Sequence, residues 1–442
     1  MRERNLGILA IQETHLTDDL ANQFNTLFGD KFALYHSPDP ENRNARGIAL
    51  ILNKRFINTQ GIITTTMIPG RAILMSLPWH NDAKINILAV YSPNSPQEIR
   101  DFWKSISEKT NSDPLLRPNI ALGDFNLVED PIDRILSRPD DPQATDNLRE
   151  FRTKHDLVDG WRRANPDEKG YSWIRDSDGT QSRIDRIYIN EELFDSCGEW
   201  KIEPAPIPTD HDLISARIST PTSPEIGRGR WAVPTRLIKN KTIKAEIQKL
   251  GTDLERRMRN LTPSNPTREN PQTLLRDFKV KAREMIRRHE KRIQPIIKMK
   301  ITKLTEKQRL VTNDPSLGPD EIKIASTHIK REIQGLMKEA HRRNRNSLMA
   351  VDVAEGEKIG KTWSNRVKET KPRDTIKCLR NPADNTLTYN SQKMTQIAAD
   401  YHNDIQSVGH NPHNIKNPAK LDAILSKLNS KLSNMSKEKL SE

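Results

Sequence analysis

Short apolar runs separated by polar, turn-forming stretches fill the first half of the chain, and longer amphipathic stretches replace them in the second. Residues 6–12, 47–52, 72–77, 85–91, 119–122, 183–189 and 213–218 are β-branched or Leu-rich and of strand length, so each predicts a β-strand. Segments 97–110 and 146–155, lying between them, are helix candidates. Strands and helices mixed in this order predict an α/β or α+β domain of ordinary size.

The pattern changes after 219–234, "STPTSPEIGRGRWAVP", whose Pro, Ser, Thr and Gly content reads as a linker. Within 273–310, Leu275, Phe278, Ala282, Met285, Ile286, Ile293, Ile296 and Ile297 recur at spacings of three and four. That spacing predicts an amphipathic helix with a basic outer face, kinked or broken at Pro295. A second helix is predicted over about 319–343, with Asp320 favouring its start. The expected organisation is a mixed domain over 1–220, a linker over 221–235 and a basic helical region over 236–442. There is no internal repeat.

Composition sharpens this outline. Of 442 residues, 34% are hydrophobic and 30% charged, too lean for a wholly globular chain, so part is expected to be extended helix or loose. No run approaches the ~20 apolar residues of a membrane span. The opening "MRERNLGILAIQETH" is no signal peptide, because its short apolar run leads straight into Glu13 and His15. Cys197 and Cys378 alone make neither a disulfide framework nor a zinc cluster, which points to a reducing, intracellular setting.

Charge separates the halves. Residues 1–220 hold 26 Lys and Arg against 34 Asp and Glu, a net of −8, which leaves +21 for residues 221–442. The second half is therefore the better polyanion binder, and "RRHEKR" (287–292) and "HRRNRN" (341–346) can neutralise nucleic-acid phosphates. The plainer reading of these clusters is a solvated helix face. Few aromatics interleave with them, so base stacking has little support.

Candidate chemistry lies in the acidic half. In "NIALGDFNLVED" (119–130) an apolar strand stops at Gly123 and delivers Asp124 and Asn126. Other strands end alike: "ILAIQETH" at Glu13, "INILAVYSPN" at Tyr91 and Asn94, and "SRIDRIY" with "PTDHDLISARI" at Asp185, Asp210 and His211. Open α/β sheets place reactive groups at such edges. Glu13 is a hard oxygen ligand suited to Mg²⁺, with Asp210 a second carboxylate for the metal. Asp124 can orient and deprotonate water, Asn126 can hold that water or a phosphate oxygen, and Tyr91 can hydrogen-bond a phosphate or leaving oxygen. His211, oriented by Asp185, can stabilise developing charge on a phosphate. Singly, each has a bland reading: "GDFN" as a turn, His211 as an exposed, salt-bridged histidine. Jointly they describe metal-assisted phosphodiester hydrolysis.

The strings "QETH", "YSPN", "GDFN", "YSW" with "SRIDRIY", and "TDHDLISARI" resemble the endonuclease/exonuclease/phosphatase family over about residues 1–220. More narrowly, they resemble the endonuclease domain of non-LTR (LINE-type) retrotransposons. The resemblance implies a two-sheet, four-layer α/β sandwich that uses Mg²⁺, or Mn²⁺, to nick DNA. It implies Glu13 as metal ligand, Tyr91 on the phosphate side, Asp124 with Asn126 handling water, and Asp185 orienting His211 beside Asp210. Asn94, Ser182 and Arg183 stand where substrate contacts are expected, a structural role being the alternative for the last two. The family's first strand, with its Asn-x-Asn-Gly-like motif, has no counterpart ahead of Glu13. Segments 379–406 and 421–442 resemble the helical connector preceding a reverse transcriptase, and no polymerase signature follows. The expectation is a DNA-nicking enzyme cut short at both ends and weakened by it, acting in the nucleus, with RNA a second partner of the basic half. The alternatives are a phosphatase or phospholipid phosphodiesterase of the same fold, and a catalytically dead nucleic-acid-binding remnant.

Overall fold

The computed structural model describes residues 1–219 apart from 2–3, 42–45, 80–82, 137 and 176, then 233, 237, 240–261, 270–292, 296–355, 376, 378–382 and 384–408. The expected linker and the segment 421–442 fall almost wholly outside these residues, as do several side chains of the two basic clusters. Two compact units divide the chain: Met1–Ser219 with Arg230–Arg373, and Thr220–Gly229 with Asp374–Glu442.

In chain order the strands of the first unit are β1 (Ile8–Gln12), β2 (Phe32–Ser37), β3 (Ile48–Asn53), β4 (Ile63–Ile68), β5 (Ala72–Pro78), β6 (Lys84–Tyr91) and β7 (Ile120–Asp124). Then follow β8 (Leu157–Asp159), β9 (Trp173–Ile174), β10 (Gln181–Ser182), β11 (Asp185–Asn190), β12 (Cys197–Pro204) and β13 (Asp212–Ile218). Helices α1 (Asp18–Phe28), α2 (Pro96–Ser112), α3 (Pro142–Lys154), α4 (Gly160–Ala164) and α5 (Glu191–Phe194) lie between them.

The main sheet runs β4-β5-β6-β7-β11-β8, a smaller one β1-β3-β2, and β9-β10 and β12-β13 are separate pairs. Within the main sheet β6 and β7 are parallel, joined through α2, and the other pairings are antiparallel. Alternation along the strands sends Leu74, Leu88 and Val90 to one face, against Phe102, Trp103 and Phe151 of α2 and α3. It sends Ile73, Met75 and Ile87 to the other, against Leu50 and Leu52 of β3, with Trp200 and Ile218 of β12-β13 beside them. The far side of the small sheet packs Leu34 and Ala49 on Ala21 of α1. Helix, sheet, sheet, helix is the four-layer sandwich that the resemblance implied, within the mixed α/β class that the strand pattern predicted.

Each strand read from the sequence is present. Two of the unread ones are poor in apolar contrast. Edge strand β4, "ITTTMI", carries three threonines, and β12 carries Glu199, Lys201 and Glu203. Such strands are specified by their partners' hydrogen bonds more than by their own hydrophobicity. Helix α1 was also unread. It buries only Ala21 and starts on a Thr17 cap whose Oγ1 accepts from the Leu20 amide.

In the basic half, α6 (Lys241–Arg259), α7 (Pro271–Arg292), α8 (Ile296–Thr312) and α9 (Pro319–Glu355) follow. The predicted helix over 273–310 is described as two helices, one ending at Arg292 and one starting at Ile296, and the predicted break at Pro295 lies outside the described residues. Leu237, Ile243, Met285 and Ile286 form the small core between α6 and α7. The second unit holds a hairpin of β14 (Leu379–Arg380) with β15 (Leu387–Thr388), and α10 (Ser391–Val408).

A buried charge network fixes the entrance to β11. Asp133 is fully buried and accepts from Arg183 Nε (2.8 Å) and Nη2 (2.5 Å), Arg162 Nη2 (2.5 Å) and Arg186 Nη2 (3.3 Å). Asp159, at the end of β8, accepts from Arg183 Nη1 at 2.7 Å. Burial alone would raise the Asp133 carboxyl, but the guanidiniums of Arg186 and Arg183 outweigh it and hold the pKa down at about 2. Asp133→Ala leaves three guanidiniums sharing one remaining carboxylate. It should cost about 3–5 kcal/mol of stability, read by urea unfolding; a loss below about 1 kcal/mol would show the network to be dispensable.

Candidate active site

Gly123 determines how closely the strands can approach. It has φ +135°, and a Cβ there would lie 2.0 Å from the Val90 carbonyl oxygen and 3.0 Å from Gln12 Nε2. Only glycine tolerates that backbone and that proximity. The next residue, Asp124, is almost buried, and its Oδ1 accepts from the Asn126 amide at 2.9 Å in a tight Asx turn. Asn126 sits at φ +47° and donates its side-chain amide to the Ser92 carbonyl at 2.8 Å. Phe125 points the other way, fully buried and stacked on Trp103 with ring centroids 5.5 Å apart. "GDFN" is therefore a close approach, an acid, an anchor and an amide in succession.

Register brings the neighbours in. Tyr91 pairs with Asp124 across the parallel strands, and Asp185 pairs with Asp124 across the antiparallel ones. From the other sheet, Glu13 follows β1 at φ +51°, and its Oε1 accepts from the Tyr91 hydroxyl at 2.7 Å. Asp185 Oδ2 holds His211 Nδ1 at 2.9 Å. "YSW" braces this side: Ser172 Oγ accepts from the Ile184 and Asp185 amides, its carbonyl accepts from the Asp212 amide at 2.6 Å, and Trp173 bridges to His211. One oxygen or nitrogen from each of Asp124, Asp185 and His211 lies within 4.8 Å of the others.

Electrostatics then assigns states. Burial, with Asp185 beside it, pushes the Asp124 carboxyl well above the usual carboxylate range. Burial also works against charge on His211, but Asp185, by field and hydrogen bond, outweighs it with help from Asp124 and Asp210, and raises the imidazole to about 9. A protonated ring whose Nδ1 is committed to Asp185 is a hydrogen-bond donor and no metal ligand. Burial and the hydrogen bond to Glu13 keep the Tyr91 phenol protonated. Carboxylate oxygens of Asp124 and Asp185 gathered this closely suit a small divalent cation.

The structure thus brings Glu13, Tyr91, Asp124, Asn126, Asp185 and His211 to one sheet edge. Asp210 lies at the rim, exposed, with Oδ2 accepting from Trp173 Nε1 at 2.9 Å. Asn94 is exposed two residues past Ser92. Ser182 and Arg183 need correction as substrate contacts, because both are only 1% exposed. Ser182 Oγ accepts from Arg134 Nε at 3.0 Å and Arg183 is consumed by Asp133 and Asp159, so both are structural. Sequence reading missed Arg71, whose guanidinium lies 4.7 Å from the centre of the Tyr91 ring, and the bracing role of Ser172 and Trp173. Nothing local marks Arg71. "YSW" carried a signal, but its role depends on contacts distant in sequence.

Residues 1–211 match the profile of the Endonuclease/Exonuclease/phosphatase family. Over 224 residues the chain is 30% identical to the "Transposon TX1 uncharacterized 149 kDa protein" of Xenopus laevis, an overlap of 50% of this chain and only 16% of that protein. Similar solved structures include AP endonuclease LMAP from Leishmania major (TM-score 0.43, 19% identity, 50% of this chain and 80% of that one). Others are the Xenopus laevis APE2 catalytic domain (0.40, 18%, 50% and 87%) and the endonuclease domain of TRAS1, a telomere-specific non-LTR retrotransposon (0.38, 15%, 50% and 89%).

The His211 pKa gives a pH prediction. It is about 9 in the folded state against 6.5 for a free imidazole. The His211–Asp185 pair therefore contributes stability that is fully present below about pH 6.5 and lost as pH rises through about 9. In metal-free buffer, the melting temperature of the wild-type chain should fall more across this window than that of His211→Gln. Parallel curves would remove the ion pair from the account.

Proposed function

We propose that the chain, whose residues 1–211 match the Endonuclease/Exonuclease/phosphatase family, is a Mg²⁺-dependent endonuclease of retrotransposon type, nicking one strand of DNA by attack of water on a phosphodiester. The observation carrying this reading is the single edge at which Asp124, Asp185 and His211 gather, with the Glu13–Tyr91 pair on the adjoining strand. Among the described residues no helix is long and apolar enough to cross a membrane.

Each residue's state suits a step. Glu13 and Asp124 would hold Mg²⁺, which when bound supplies charge neutralisation at the phosphate and lowers the pKa of water. Asp124, recessed, fixed by the Asn126 amide and ionised when a bound cation offsets the neighbouring carboxylate, orients the attacking water and accepts its proton; the rest of the Asn126 amide group can hold that water or a phosphate oxygen. His211, kept protonated and aimed by Asp185, donates from Nε2 to a non-bridging oxygen as negative charge builds there. Tyr91 stays protonated and fixes the Glu13 carboxylate. Asp210, held by Trp173, adds negative charge beside the site and reinforces protonation of His211.

The nick would leave a 3′ hydroxyl from which a reverse transcriptase could prime, and the nucleus is where such a target lies. Residues 221–442, at net +21, would add salt-dependent affinity for DNA or RNA phosphates. Organisation as a nuclease domain over 1–220 followed by a basic connector belongs to the same proposal.

Supercoiled plasmid with Mg²⁺ tests it directly. Asp124→Ala should lower the nicking rate by about 10²–10⁴-fold while DNA binding in a gel shift persists; undiminished nicking would defeat the role given to Asp124. Glu13→Gln should raise the Mg²⁺ concentration for half-maximal nicking by about tenfold or more, and an unchanged titration would take Glu13 out of the metal site. Release of phosphate or headgroup from phospholipid without nicking would move the chain to the lipid-acting branch.

A further inference from the structure

The family match ends at residue 211, yet the polypeptide braced around His211 does not. Helices α8 and α9, about a hundred residues downstream, belong to the same compact unit, and α9 lines one cavity with His211 and Asp212. Lys330 of α9 is 3% exposed, and its Nζ is ion-paired with the carboxylate of Asp212, the residue after His211. Asp212 also opens β13 and donates its amide to Ser172, so it lies between the "YSW" brace and the histidine.

This docking is specific. Gln181, next to the residue paired with Trp173, is 1% exposed and donates to Ser326 Oγ at 2.8 Å, itself fully buried. Thr327 Oγ1 donates to the Gly179 carbonyl at 3.0 Å, and a Cβ at Gly179 would lie 2.7 Å from that same Oγ1. Asn313, just past α8, exchanges two hydrogen bonds with the Lys169 backbone, at 2.7 and 3.1 Å. Undocking would strand Lys330, Asp212, Gln181 and Ser326 unpaired or return them to water with their apolar neighbours, so the contacts hold one arrangement and penalise others.

We propose that Lys330 is a positioning residue for the reaction: by pinning Asp212 it fixes the 209–212 segment and hence the placement of His211 against Asp185. The working nuclease then extends into the helical half, and α9 is a structural part of the site as well as a connector. A buried ammonium whose partner adjoins a site histidine contributes through geometry, since sub-ångström placement of a catalytic donor controls rate.

The activity readout rests on the nuclease reading, so the test pairs it with one that does not. In the full chain, Lys330→Gln keeps the side-chain length and a donor but loses the charge. It should lower kcat for plasmid nicking about tenfold or more with KM for DNA within about twofold, and Lys330→Arg should restore most of the rate. Hydrogen–deuterium exchange across 205–212 should rise in Lys330→Gln and stay at the wild-type level in Lys330→Arg. A wild-type kcat in Lys330→Gln overturns the proposal. If the wild-type chain nicks no DNA, the functional reading fails by itself, and exchange decides this one: unaltered exchange over 205–212 in Lys330→Gln overturns it, and a localised rise that Lys330→Arg prevents supports it.

Discussion

Asp124 faces Tyr91 across one strand pair and Asp185 across the next, and this register is the constraint on which the rest of the site depends. Directly opposed residues of neighbouring strands point to the same side, so three functional groups stand in a row without any loop to place them. A slip of one residue in either pairing would turn Asp124 toward the opposite layer and bring Phe125 or Gly123 into its place. What forbids the slip is packing. Phe125, Leu88 and Tyr188 fill the helix-side core only in this alignment, and the missing Cβ at Gly123 lets β6, β7 and β1 approach closely enough to keep it.

The charges around that row fall into two kinds. Asp133, Asp159 and the three arginines are interior and ion-paired, and they hold the entrance of β11 where Asp185 begins. Asp124, Asp185, Glu13 and His211 stand at the edge, where neighbouring carboxylates help raise the proton affinities of Asp124 and His211. Both clusters draw residues from "SRIDRIY". In the first, paired charges cost desolvation and return a fixed geometry. In the second, unbalanced negative charge is a standing affinity for a cation or a proton, which is what metal-assisted chemistry on an anionic ester needs. Arg183 and Asp185, two positions apart on a short strand entrance, serve these two different purposes.

Helices α8 and α9 extend this scheme. Their meeting surface with the β9-β10 hairpin and the start of β13 combines buried hydrogen bonds and an ion pair with apolar contacts, Ile322 packing on Ile135 and Tyr171 and Ile333 buried on the same helix. A surface of that kind is specified by matched hydrogen bonds, each of which loses stability if its partner moves. The basic half of the chain therefore supplies a structural element to the acidic half as well as excess positive charge.

The sequence by itself determined strands with strong apolar contrast, the charge division, and the residue types gathered at the sheet edge: acids, an amide, a phenol and an imidazole, each at a strand end. These features are local, written in periodicity and side-chain type. The edge strands β4 and β12 were not legible because their partners, and not their own hydrophobicity, hold them. Arg183 and Asp185 look alike in the string, and only burial separates the structural arginine from the site carboxylate. The Lys330–Asp212 pair joins positions more than a hundred residues apart, and no periodicity links them. Tertiary structure decided those assignments, because desolvation and hydrogen-bond partnership are properties of a side chain's surroundings and arise only once the layers have packed.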